Sequence, residues 1–158
     1  MYAIEAEDPR QDDVRALVSE LNDVLLGLTP AEYCYHLSVE EMVGPETTVF
    51  VARDGGTAVG CGALYRHPGR CGEVKRMYTR PEFAGRGIGG GILSRIIETA
   101  RAEGISELVL ETGDRHPAAW RVYERAGFTR CGPVLDYADT GFSIFYRLPL
   151  EEVSLQQQ

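Results

Sequence analysis

Two stretches of this chain repeat apolar residues at the helical spacing, and the segments between them alternate or run apolar as strands do. Val14, Leu17, Val18, Leu21, Leu25 and Leu28 fall on one side of a helix, with Asp12 or Asp13 as its cap and Gly27 as its stop. Ile88, Ile92, Leu93, Ile96, Ile97 and Ala100 make a second such face, ended by Gly104. A shorter helix is predicted from His116 to Ala126, closed by Gly127. Thr29-Pro30 reads as a cap followed by proline in a first turn, and Ser38 opens another short helix ending at Gly44-Pro45. Tyr2 to Ala6 is a short first strand. Thr47 to Arg53 and Ala58 to Arg66 flank Asp54-Gly55-Gly56 as a hairpin. His67-Pro68-Gly69 turns the chain into a strand from Gly72 to Thr79, which Arg80-Pro81 ends. Leu108 to Glu111 is a short buried strand. Thr129 to Tyr137 and Ser143 to Leu148 form a final hairpin around Asp139-Thr140-Gly141.

This order predicts an α/β (α+β) fold: one mixed, mostly antiparallel sheet with a single central parallel crossover, flanked by helices. The chain of 158 residues suits one domain, 1–158, with 151–158 as a frayed glutamine-rich tail. The N-terminal MYAIEAEDPR has neither a basic region nor an apolar stretch, and no apolar run approaches the ~20 residues that span a bilayer. A cytoplasmic protein is expected. The net charge of −8 argues against nucleic acid and anionic membrane as general partners. Lys75 is the single lysine beside 15 arginines, of which Arg66, Arg70, Arg76, Arg80 and Arg86 cluster. They are either scattered solvated charge or a local anion site. Cys34, Cys61, Cys71 and Cys131 lack metal-ligand spacing and read as reduced core thiols, and the three histidines form no HExxH, so no metal is expected.

The informative segment is Ala84-Gly85-Arg86-Gly87-Ile88-Gly89-Gly90-Gly91, between a strand and a helix. Glycines allow positive φ and close approach of a ligand to backbone amides. A helix start presents unpaired N–H groups and partial positive charge, which suits phosphate, and Arg86 adds a fork for its oxygens. The plainer reading is a tight turn with no ligand. Gly85, Gly87 and Gly90 also satisfy GxGxxG, with Glu111 where a dinucleotide fold would want an acid. Against it, six residues (Arg80 to Gly85) separate strand end from turn, the preceding strands make a hairpin, and no length remains for a catalytic domain. No Gly-Lys-Ser/Thr follows, which excludes a P-loop.

The run VKRMYTRPEFAGRGIGGGIL resembles the coenzyme A signature of the GNAT superfamily of N-acetyltransferases, a glycine loop of the form Arg/Gln-x-x-Gly-x-Gly/Ala after a strand. Gly87 and Gly89 occupy its glycine positions, and Ala84 stands where Arg or Gln is usual. HPAAWRVYERAGF resembles the second signature, Asn-x-x-Ala leading into Tyr-Glu-x-x-Gly-Phe, with His116 in place of Asn. The resemblance runs from about Thr47 to Leu148. It implies an acyltransferase that moves an acetyl group from acetyl-coenzyme A, its co-substrate, to a primary amine by direct attack in a ternary complex.

Carried over residue by residue, the resemblance implies pyrophosphate at Gly85, Arg86, Gly87, Ile88, Gly89 and Gly90, and the pantetheine arm along Met77, Tyr78 and Thr79. Tyr123 matches the tyrosine that faces the coenzyme sulfur. A phenol near pKa 10 is a weaker acid than a thiol near 8.5, so full transfer is uphill by ~2 kcal/mol and Tyr123 is a hydrogen-bond donor first. Its alternative is a core tyrosine. Glu73 aligns with a general base in some members; simple alternation puts it on one face with Lys75, Met77 and Thr79. The alternative there is a solvated strand-end charge. Glu111 either binds the acceptor's ammonium or is the base, and His116 either touches the coenzyme or caps its helix. Trp120 is read as packing. The acidic surface and the short chain favour a small-molecule amine over a protein N-terminus or lysine, and a non-catalytic acyl-coenzyme A sensor is the rival of another class. The final hairpin offers an edge to a second copy, as a homodimer would use.

Overall fold

The computed structural model describes residues 2–28 and 37–150; the predicted Thr29-Pro30 cap and Cys34 lie outside them. Seven strands, β1 (Tyr2–Ala6), β2 (Thr47–Asp54), β3 (Thr57–His67), β4 (Cys71–Thr79), β5 (Glu107–Gly113), β6 (Thr129–Cys131) and β7 (Ser143–Pro149), form one sheet. Their order is β1-β2-β3-β4-β5-β7-β6. Only β4 and β5 pair in parallel, and the crossover between them is α2 (Ile88–Ala102). The other α-helices among the described residues are α1 (Asp12–Leu28) and α3 (Pro117–Arg125).

Helices α1 and α2 bury the faces that their periods predict. Asp12 and Asp13 sit in the first turn of α1, favourably placed for the helix dipole, and Val14, Leu17, Val18 and Leu21 are buried. That face meets Val49, Val51, Ala58, Cys61 and Ala63 on one side of the sheet. Ile88, Ile92, Leu93, Ile96, Ile97 and Ala100 of α2 are buried against the other side, among Phe50, Val74, Leu108, Leu110, Ile144 and Tyr146. Such side chains contribute about 1.5–3 kcal/mol apiece. Ser38 and Glu41 exchange backbone–side-chain hydrogen bonds, 2.9 and 3.2 Å, at the predicted short helix, which is a 3-10 turn over Glu40–Val43.

Three expectations need correction. Helix α1 runs through Gly27 to Leu28, because Gly27 keeps a helical backbone instead of the positive φ that stops a helix. Strand β6 covers only Thr129–Cys131, since Gly132-Pro133 withdraws a donor and Leu135 turns to φ 54°. The edge it leaves is three residues long. Alternation also fails along β4. Cys61 pairs with Tyr78 and Ala63 with Lys75, so β4 carries one extra residue, and Arg76 takes it up at φ 57°. The bulge keeps Glu73 and Lys75 on the α1 face but turns Met77 and Thr79 to the α2 face, where Met77 joins the core.

Candidate active site

The two parallel strands separate as they run. β4 and β5 pair at Cys71–Glu107, Gly72–Leu108 and Glu73–Val109, and beyond that β4 continues to Thr79 and β5 to Gly113 without partners in each other. The result is a gap at the middle of the sheet, lined by the backbone edge of Met77, Tyr78 and Thr79. An exposed strand edge suits an extended ligand with amides of its own.

One side of the gap leads to the glycine loop. Gly85 and Gly87 have φ of 79° and 80°, a region that L side chains rarely adopt, and a Cβ on either would meet nothing within 4 Å. The glycines are therefore set by backbone conformation and open approach, not by packing. Gly91 N–H donates to Gly87 at 2.9 Å and closes the first turn of α2. The N–H groups of Ile88, Gly89 and Gly90 lie ahead of that bond, at the positive end of the helix. Arg86 is exposed, 5.1 Å over the ring of Phe83 and 3.5 Å from the Tyr2 hydroxyl. Val122 of α3 lies 3.7 Å from where a Cβ on Gly89 would be, so the third helix walls the loop.

Tyr123 stands on this same side. It is buried, with its ring 6.1 Å from Phe128 and 5.9 Å from Tyr146. Burial pushes its phenol above the usual range, and the charge of Glu111 adds to the effect. Its hydroxyl makes no hydrogen bond among the described residues. His116 opens α3 but its side chain does not cap it, which removes that alternative: its ring is turned inward, and buried Nε2 has no partner among the described residues. Burial lowers its pKa, opposed by nearby Asp114.

The opposite face of the sheet holds the carboxylates. Leu108 and Leu110 of β5 point into the α2 core, so Val109 and Glu111 point the other way. Glu111 accepts the Ser143 hydroxyl at 2.7 Å, and burial raises its pKa above the ordinary carboxylate value. Glu73 is 3% exposed, so it is no solvated strand-end charge. One of its oxygens is 2.8 Å from His67 Nε2; the other accepts from Lys75 Nζ at 3.2 Å and from the Tyr137 hydroxyl at 2.6 Å. Helix α1 covers β3 and β4, whereas the connection 132–142 carries Tyr137 toward β5 and β7, its ring 6.0 Å from Phe145.

The Acetyltransferase (GNAT) family matches residues 10–128. The chain belongs to the GNAT family of acetyltransferases. It is 40% identical over 148 residues to an IAA acetyltransferase of Azospirillum brasilense, covering 93% of this chain and 97% of that one. A crystal structure from Klebsiella pneumoniae, described provisionally as an acyl-CoA N-acyltransferase, superposes with a TM-score of 0.83 at 28% identity, covering 95% of this chain and 98% of that one. Another, of yncA from Salmonella typhimurium with its cofactor acetyl-CoA, gives 0.71 at 21% identity over 96% and 95% of the two chains and shares the fold.

In this GNAT acetyltransferase the residues named from sequence fall on both faces of the sheet. Met77 and Tyr123 lie on the α2 face, whereas Tyr78 packs toward α1 and donates to Glu20 at 3.0 Å, on the face that carries Glu73 and Glu111. Trp120 donates to the Gly113 carbonyl at 3.0 Å and packs under Arg130, as a structural residue does. Of the clustered arginines, Arg66 pairs with Glu103 and Arg80 with Glu20, and only Arg86 belongs to the loop. Sequence reading missed Tyr137, Lys75, His67 and Ser143. Lys75 left one signal, as the single lysine; Tyr137 left none, standing at the end of a stretch that reads as a strand. Among the described residues no group of His, Cys, Asp and Glu could hold a metal, and no helix is long and apolar enough to cross a membrane.

Proposed function

We propose that this GNAT acetyltransferase moves an acetyl group from acetyl-coenzyme A to the primary amine of a small molecule, the two meeting in the gap between β4 and β5. The observation that carries the reading is the placing of Tyr123 and Glu111: they flank one gap from opposite faces of the sheet. A donor entering along the glycine loop and an acceptor entering from the α1 face would then meet without competing for space.

The residues fit the coenzyme. The open Gly85 and Gly87, the amides ahead of Gly91 and the exposed Arg86 suit its phosphates. The free edge of Met77 to Thr79 suits its amide-bearing arm, and the buried His116 Nε2 is a polar atom in want of a partner. When bound, acetyl-coenzyme A supplies the thioester that the amine attacks. The Tyr123 hydroxyl is unspent among the described residues, and with its phenol pushed further from acidity it would stabilise thiolate charge by donating a hydrogen bond, not by surrendering its proton. Glu111 receives the acceptor's ammonium and takes its proton, directly or through water. Its raised pKa makes it a better base than an exposed carboxylate. Glu73, the other candidate, already spends both oxygens on three donors.

A small acceptor is favoured because the 132–142 connection reaches across to β4 through Tyr137 and brings its ring to 6.0 Å from Phe145 of β7, which narrows this face. The relative named for IAA points the same way. The test is release of free coenzyme A thiol from acetyl-coenzyme A against a panel of spermidine, phenethylamine, an aminoglycoside, free amino acids and short peptides. Turnover confined to peptides would move the reading to a protein acetyltransferase. Tight coenzyme binding with no turnover on any amine would leave a sensor.

A further inference from the structure

Glu73, Lys75 and Tyr137 close a triangle on the acceptor face. The Tyr137 hydroxyl donates to Glu73 Oε2 at 2.6 Å and accepts from Lys75 Nζ at 2.8 Å, while Lys75 donates to the same oxygen at 3.2 Å. The Glu73 and Lys75 side chains are only 4% and 15% exposed. An ion pair taken this far from water holds only if its remaining donors and acceptors are met. A phenol is both donor and acceptor, so Tyr137 meets one need of each partner at once. The ammonium also lies 5.6 Å from the centroid of the Tyr137 ring.

The triangle fastens a long connection. Residues 132–142 join the short β6 to β7, and their backbone bonds include local turns, Tyr137 N–H to Val134 at 3.2 Å among them. Leu135 takes φ 54°, costly for a branched side chain, and is itself exposed while Tyr137 is turned in. Glu73 is also the last residue of β4 paired with β5. Tyr137 is thus docked where the gap begins, 6.0 Å from the ring of Phe145, the residue opposite Glu111.

We propose that Tyr137 is a positioning residue for the acceptor: by docking the 132–142 connection on the Glu73–Lys75 pair, it fixes the wall against which the amine is presented to Glu111, and so governs which amines are used. This rests on the reading of the gap given above. The glycine loop and Tyr123, which would meet the coenzyme, lie on the other face of the sheet and do not depend on the docking. Glu73 and Lys75 serve as the anchor.

The test uses the whole chain and Tyr137→Phe, which keeps the ring and removes the hydroxyl. With the best-used amine of the panel, the acceptor KM should rise about tenfold, as for a lost hydrogen bond to charged partners, with kcat within ~3-fold. Acetyl-coenzyme A affinity, by calorimetry, should not move. Tyr137→Phe and Glu73→Gln should be non-additive in acceptor KM, because both loosen one contact. Hydrogen exchange supplies a readout free of turnover. In the wild type, the Tyr137 amide, which donates to Val134 at 3.2 Å, should exchange more slowly than an unprotected amide, and in Tyr137→Phe that protection should fall while α2 keeps its own. An unprotected Tyr137 amide in the wild type, or an acceptor KM unchanged in Tyr137→Phe, would overturn the proposal. If the wild type acetylates no amine, the functional reading fails, and exchange still decides whether Tyr137 docks the connection.

Discussion

Ser143 donates its hydroxyl to Glu111 at 2.7 Å, joining the start of β7 to the carboxylate at the edge of the gap. Burial raises the pKa of Glu111 and this bond pulls it back down. If Glu111 must be ionised to take the proton, kcat/KM falls as pH drops through its pKa. Ser143→Ala removes the stabilising donor, so the acid limb should move to higher pH, and Glu111→Gln should abolish the limb along with most activity. A pH profile of kcat/KM in Ser143→Ala checks this; an unmoved limb contradicts it. The stability sign follows too. A carboxylate whose pKa is raised on folding loses stability as pH rises from its unfolded value through its folded one. Glu111→Gln should then be neutral or stabilising in Tm at pH 7.

Gly87 opens α2 in the left-handed region at φ 80°. Gly87→Val should cost acetyl-coenzyme A affinity at least an order of magnitude through backbone strain and blocked approach, with the fold kept, because the space around its Cβ is open. Arg86→Ala should cost less, since the backbone amides remain. Calorimetric titration of the two variants checks the order of effects.

Much of this was legible beforehand because helical period and turn chemistry are local. The faces of α1 and α2, the hairpin at Asp54-Gly55-Gly56 and the glycine loop all follow from neighbours in sequence. The bulge at Arg76 does not: nothing in the run Glu73-Val74-Lys75-Arg76-Met77 marks the extra residue, which is defined by β3. The same holds for Glu73, whose partner Tyr137 lies 64 residues away. Tyr123 and Glu111 were named from pattern, but their placing on opposite faces of the sheet required the sheet itself.

Arg53 braces the first turn of the fold, bonding Glu7 at 2.8 Å and Asp13 at 2.7 Å, and its guanidinium holds both carboxyls below their usual range. Stability drawn from depressed carboxylate pKa values is present above pH ~4.5 and is lost as pH falls through the folded values. Arg53→Met should cost about 1 kcal/mol at pH 7, kept small by solvent screening, and less at pH 3. Urea unfolding at the two pH values measures the difference, and equal losses at both would contradict it.

The most direct test of acetyl transfer across the gap is kcat for Tyr123→Phe on the best amine, with the acceptor saturating. The change removes only the hydroxyl and leaves the ring against Phe128 and Tyr146. A contact made as thiolate charge develops is worth about 10²-fold or more in kcat, with acetyl-coenzyme A affinity and Tm little changed. That fall is the predicted result. Equal kcat values for wild type and Tyr123→Phe, with chemistry shown to limit both, would contradict a role for Tyr123 in transfer.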